Sequence, residues 1–154
     1  MSPAQIAYYF PDAGTAFVGD ALFALGCGRL FEGTPAQAWE SLQRLMALPD
    51  STVVYCAHEY TTANARFAVT IEPSNPALLE RVQDIEAARK KDLPTVPTTI
   101  GLERRTNPFV RPAPVRSALA LDDTTPDVEV FAEVRRPHAL SYTSSRKKSC
   151  GALT

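Results

Sequence analysis

Two histidines, His58 and His138, and three cysteines, Cys27, Cys56 and Cys150, are all that 154 residues hold of the side chains that most readily ligate metals or act as nucleophiles. No cluster of histidines and aspartates occurs at close spacing. The cysteines are too few and too scattered for a disulfide framework and include no Cys-x-x-Cys pair, which points to a reducing compartment. No apolar run approaches the roughly 20 residues of a membrane span. Met1-Ser2-Pro3-Ala4-Gln5 lacks the basic end and apolar stretch of a secretory signal, so the expectation is a cytoplasmic chain with no membrane partner. An excess of either charge is also missing. With a net charge of −1 there is no electrostatic case for nucleic acid, and the late basic group Arg135, Arg136, Arg146, Lys147 and Lys148 reads as a solvated terminus.

What is present is enough for one core and a small appendage, at 45% hydrophobic and 21% charged residues. Ile6 to Phe10 and Thr15 to Gly19 are β-prone and flank the turn chemistry of Pro11-Asp12-Ala13-Gly14, predicting an antiparallel hairpin. The glycines at 26, 28 and 33 mark an irregular loop. Thr34-Pro35 is an N-cap with proline at the first helical position, and Trp39, Leu42, Leu45 and Met46 recur at helical spacing, predicting a helix from Pro35 to Ala47. Thr52 to Cys56 reads as a strand and Thr61 to Thr70 as a helix. Asn75-Pro76 opens another helix running to about Lys91. Beyond it Pro94, Pro97, Pro108, Pro112 and Pro114 interrupt the pattern, until a last helix from Val128 to Arg136. The segment 137–154 is polar and unpatterned and reads as a disordered tail.

Asp20 and His58 each stand where a strand runs out into a loop, with one strand-helix-strand unit between them, which is how half of a hydrolytic metal site is built. Cys27, between two glycines, has no neighbouring histidine to activate it, and Cys56 reads as a small buried hydrophobe. The words around these residues are more specific. Gly19-Asp20-Ala21-Leu22-Phe23, Gly26-Cys27-Gly28-Arg29-Leu30-Phe31-Glu32-Gly33, His58-Glu59-Tyr60, Glu72-Pro73-Ser74-Asn75, Pro94-Thr95-Val96-Pro97 and Thr106-Asn107-Pro108-Phe109-Val110-Arg111 occur in one order. Together, from about Ile6 to Arg136, they resemble the C-terminal half of hydroxyacylglutathione hydrolase (glyoxalase II) of the metallo-β-lactamase superfamily.

The resemblance implies an α+β fold, a partial αββα sandwich over residues 1–72 followed by a small helical domain over 73–136, with 137–154 as the tail. It implies a metal-dependent thioester hydrolase that converts S-D-lactoylglutathione to glutathione and D-lactate in methylglyoxal detoxification, with zinc or iron, two per site. Asp20 would bridge the two metals and His58 complete the second, making these the catalytic and metal residues. Arg29, Phe31, Tyr60, Arg135 and His138 would face the glutathione thioester.

The chain departs from the pattern in several places. The Thr-His-x-His-x-Asp-His motif is missing, Ala21 and Ala57 replace a threonine and a glycine, and His138 stands where a lysine is usual. A catalytic zinc needs about three protein ligands, so the sequence predicts a truncated hydrolase, inactive alone. Two alternatives stay open: a non-catalytic glutathione-binding module, and a half-enzyme completed by a separate N-terminal partner. A half-sandwich would also leave an open sheet face and strand edge, predicting self-association.

Overall fold

The computed structural model describes residues 6–29 and 33–136. The first hairpin pairs β1 (Tyr8–Phe10) with β2 (Thr15–Gly19), Tyr8 opposite Phe17 and Phe10 opposite Thr15, around a 3-10 turn at Pro11–Ala13. A second, smaller hairpin follows, β3 (Leu22–Phe23) with β4 (Gly26–Cys27). The glycines that read as irregular loop therefore include a strand: Gly26 pairs with Phe23, and its missing side chain leaves room for Asn64, whose Nδ2 would lie 2.5 Å from a Cβ at that position.

Helix α1 (Pro35–Met46) starts as expected. Thr34 accepts from the Gln37 amide and Gln37 returns a bond to the Thr34 amide, a complete capping box before Pro35. The helix buries Ala38, Leu42, Leu45 and Met46 and carries the chain to β5 (Val53–Cys56), which lies parallel to β2. A parallel pair requires such a crossover. β6 (Thr98–Thr99) adds antiparallel to β5, giving the order β1-β2-β5-β6.

Alternation along the strands decides which face is covered. Ala16, Val18 and Val54 are buried with α1 in the main core, whereas Phe17 and Tyr55 stay exposed on the opposite face.

The rest is helical: α2 (Thr61–Ile71), α3 (Pro76–Arg89), α4 (Ile100–Thr106), α5 (Pro112–Ala118) and α6 (Asp127–Arg135). Ile100 and Phe131 enter the sheet core, Trp39 meeting Phe131 with ring centroids 5.8 Å apart, so helices and sheet share apolar contacts. Leu25 joins Ala65, Ala68, Leu78 and Ile85 in a second cluster, and Ile71, Val115, Val130 and Val134 form a third. The proline-rich stretch that broke the sequence pattern holds β6, α4 and α5. Its prolines punctuate rather than prevent structure, with Pro108 and Pro112 at the opening positions of a 3-10 turn and of α5.

Candidate functional site

β2 and β5 end together. After Phe17 a bulge shifts the register, Gly19 pairs with Cys56, and Gly19 adopts φ 52, a left-handed conformation that suits glycine and turns the chain out of the sheet at Asp20. The Ala57 amide bonds Gly19 O at 3.0 Å, tying the two exits together. Asp20 and His58 thus meet, Asp20 Oδ1 lying 3.5 Å from His58 Nε2, both side chains about half exposed. Two ligands of one tetrahedral zinc, each bonded near 2.1 Å, are separated by about 3.4 Å. The pair has the spacing of one edge of a metal polyhedron.

An aromatic wall backs that edge. The His58 ring stacks on Tyr60 at 5.2 Å and 23°, and Phe23 meets Tyr60 edge-on at 5.2 Å and His58 at 6.2 Å. Cys56 Sγ lies 3.3 Å from His58 O and donates to it, and burial pushes that thiol's pKa up. Glu59 serves elsewhere. Its Oε1 accepts from the Thr95 hydroxyl at 2.7 Å and amide at 3.1 Å, with Arg89 3.7 Å away, and the Thr95 hydroxyl bond is the first cause of its lowered pKa.

The β3–β4 hairpin between Asp20 and Arg29 is held almost residue by residue by helical side chains. Asn64 donates to Ala24 O at 2.9 Å, Glu103 Oε2 accepts the Leu25 amide at 2.9 Å, and Asn107 donates to Gly26 O at 3.0 Å. Arg135 donates to Cys27 O at 3.3 Å and to Cys27 Sγ at 2.9 Å, its guanidinium over the Phe109 and Phe131 rings. Leu25 sits at φ 60, a conformation that costs a non-glycine residue about 1–2 kcal/mol, and the Glu103 bond and its own apolar burial offset that cost. Cys27 is pushed up to about 11 by burial, against the opposing pull of the Arg135 charge and hydrogen bond, so it stays a thiol at neutral pH.

Of the sequence-derived site residues, the structure brings Asp20, His58 and Tyr60 together. Arg29 is exposed at the end of the clamped hairpin, two residues from the Cys27 that Arg135 grips. Phe31 and His138 lie outside the described residues. Sequence reading missed Asn64, Glu103 and Asn107 as site supports, with Arg81 donating to Glu103 at 2.6 Å, although Asn107 stands inside the quoted word Thr106-Asn107-Pro108-Phe109-Val110-Arg111. No group of three or more histidine, cysteine or acidic side chains that could hold a metal ion occurs among the described residues. Asp20 and His58 fit one edge of a metal site and do not complete one. No helix among the described residues is long and apolar enough to cross a membrane.

Residues 1–58, which hold the parallel strand pair ending in Asp20 and His58, match the description "Metallo-beta-lactamase superfamily". The following residues narrow the class, since 59–138 match the description "Hydroxyacylglutathione hydrolase C-terminus". Over 134 residues, 86% of the chain, it is 57% identical to the hydroxyacylglutathione hydrolase of Brucella anthropi and 58% identical to that of Methylococcus capsulatus, covering 51% and 52% of those proteins. That of Maricaulis maris is 56% identical, with 52% covered. The chain belongs to the hydroxyacylglutathione hydrolase family, and it spans about half the length of the curated relatives it matches.

Proposed function

We propose that the chain carries one wall of a glutathione-thioester hydrolase centre and does not hydrolyse a thioester by itself. The observation that carries this reading is the Asp20–His58 pair, 3.5 Å apart where the parallel strands β2 and β5 run out. In this reading Asp20 and His58 are the metal-facing pair, for zinc or iron. Tyr60 and Arg29 face the glutathione moiety of S-D-lactoylglutathione and Arg135 holds the loop that presents Arg29, while Phe31 and His138 keep only the substrate-contacting role that the family motif implies. The products would be glutathione and D-lactate, the reaction of methylglyoxal detoxification. Two ligands leave an ion mostly hydrated, so no hydrolytic step is assigned to these residues alone. The division of the chain at 72/73 into a sheet part and a helical part, and a cytoplasmic location, belong to the same proposal.

Zinc added to the 15N-labelled chain, followed by S-D-lactoylglutathione, tests it. Shifts centred on Asp20 and His58 at millimolar zinc, lost in His58→Ala, and ligand shifts on Tyr60 and Arg29 are expected. Zinc shifts that persist unchanged in His58→Ala, or ligand shifts that avoid Tyr60 and Arg29, would refute the assignment.

A further inference from the structure

Helix α3, the segment 94–98 and the end of α4 enclose an open cleft of about 450 Å³, within the size range of small-ligand sites. Neither Asp20 nor His58 lines it. Ala77 and Ala88 are the first and last α3 residues on its wall, so it follows about three turns of that helix. Ile85 is buried in its floor, with Val96, Pro97 and Leu102 supplying further apolar lining. Segment 94–98 is also fastened through Thr95 to Glu59, the residue after His58, so an occupant of the cleft touches the support of the site loop.

The charges around the cleft are ordered along the helix. Arg81 turns inward, donating to Glu103, Thr98 and Thr106, and its charge is matched there. Arg105 is exposed at the end of α4 beside the start of α3, where its carbonyl accepts from the Asn75 side chain. Glu80 and then Asp84 follow along α3, one turn apart and exposed. Among the described residues none of these three enters an ion pair. The cleft therefore offers one guanidinium and two carboxylates beside an apolar floor, an excess of one negative charge. A complementary ligand carries one carboxylate and two cations on an apolar stem. Side chains at i and i+4 of a helix stand about 5–6 Å apart, a span that the four-carbon stem of a lysine covers.

We propose that this cleft binds a basic amino acid of the lysine type, free or at the C-terminus of a peptide. Its carboxylate meets Arg105, its α-amino group Glu80 and its distal ammonium Asp84, with the stem over Ile85 and Val96. A diamine would leave Arg105 unanswered, and an apolar amino acid would leave Asp84 unanswered. The proposal goes beyond the thioester reading and does not rest on it, so it is read by binding alone.

The test titrates the 15N-labelled chain, at constant ionic strength, with L-lysine, with norleucine, which lacks the distal ammonium, with cadaverine, which lacks the carboxylate, and with Nα-acetyl-lysine, which stands for a peptide terminus. Saturable millimolar shifts centred on Ala77, Ile85, Ala88 and Val96 are expected with L-lysine, and binding weaker by about threefold, the scale of one exposed ion pair, with norleucine and with cadaverine. Asp84→Asn should remove the preference over norleucine, and Arg105→Gln the preference over cadaverine. Both residues are exposed, so the amide spectrum away from the cleft should stay that of wild type. Nα-acetyl-lysine binding at least as tightly as lysine supports the cleft as a site for peptide termini, and weaker binding supports it as a site for the free amino acid, through Glu80. No saturable shift with lysine up to tens of millimolar, shifts that avoid the cleft, equal binding of lysine, norleucine and cadaverine, or preferences unchanged in the two variants would each overturn the proposal.

Discussion

Glu103 is fully buried, and each of its oxygens is engaged. Oε1 accepts from Arg81 at 2.6 Å and Thr98 at 2.5 Å, and Oε2 from the Leu25 amide and Asn107 at 2.9 Å each. Removing one partner of a buried pair costs about 3–5 kcal/mol because the other charge is left uncompensated. Glu103→Gln should lose that much in urea unfolding and speed hydrogen exchange at the Leu25 amide, whereas a loss below 1 kcal/mol would show that Arg81 finds other partners. Cys27 gives a residue-specific pH dependence. Its folded pKa, raised from 9.0 to about 11, means that the thiol's contribution is fully present below 9 and is lost as pH rises to about 11. Wild type should lose more stability over that interval than Cys27→Ala, and equal losses would contradict the burial argument. Asp20, His58 and Tyr60 were legible because short motifs mark them. Glu103 was not, because a glutamate on a helix reads as solvated until folding brings Leu25, 78 positions away, and Arg81, 22 away, against it.

α1 and α3 were legible because N-caps and apolar periodicity agree there, α2 and α6 as helix-prone runs without a side-chain cap, and β2 and β5 because β-prone runs end in turn residues. Thr34→Ala should remove the capping box of α1 and cost about 1 kcal/mol in thermal or urea unfolding. No measurable change would mean that packing of Leu42 and Leu45 alone sets the start of that helix. The β3–β4 hairpin, β6 and α4 were not legible, because two-residue strands have no period to read and are fixed by side chains from distant elements. The segment 93–98 is an example: Glu59, from the loop after β5, fastens it through Thr95. Because those bonds lower the Glu59 pKa below its ordinary 4.5, their contribution is present above that value and is lost as pH falls through the folded one. Exchange at the Thr95 amide should accelerate on acidification through that range, and exchange flat with pH, or identical in Glu59→Gln, would contradict the link.

Taken whole, the molecule is a sheet covered on one face by α1 and joined to a helical segment that grips the site hairpin. Its architecture, one sheet layer and a helical part of the hydroxyacylglutathione hydrolase family, followed from the order of the motifs. The grip was hidden, since nothing local in the sequence ties Arg135 to Cys27, 108 positions away. The helical part thus holds the hairpin that runs from Asp20 to Arg29, and in the proposed reading Asp20 and His58 form one edge of a metal site backed by aromatic rings. In the proposed reading this edge is insufficient for hydrolysis. Turnover of S-D-lactoylglutathione by the purified chain with added zinc, measured beside Asp20→Ala, tests it most directly. Both proteins are predicted to match the buffer rate, and turnover by wild type that Asp20→Ala abolishes would contradict the account.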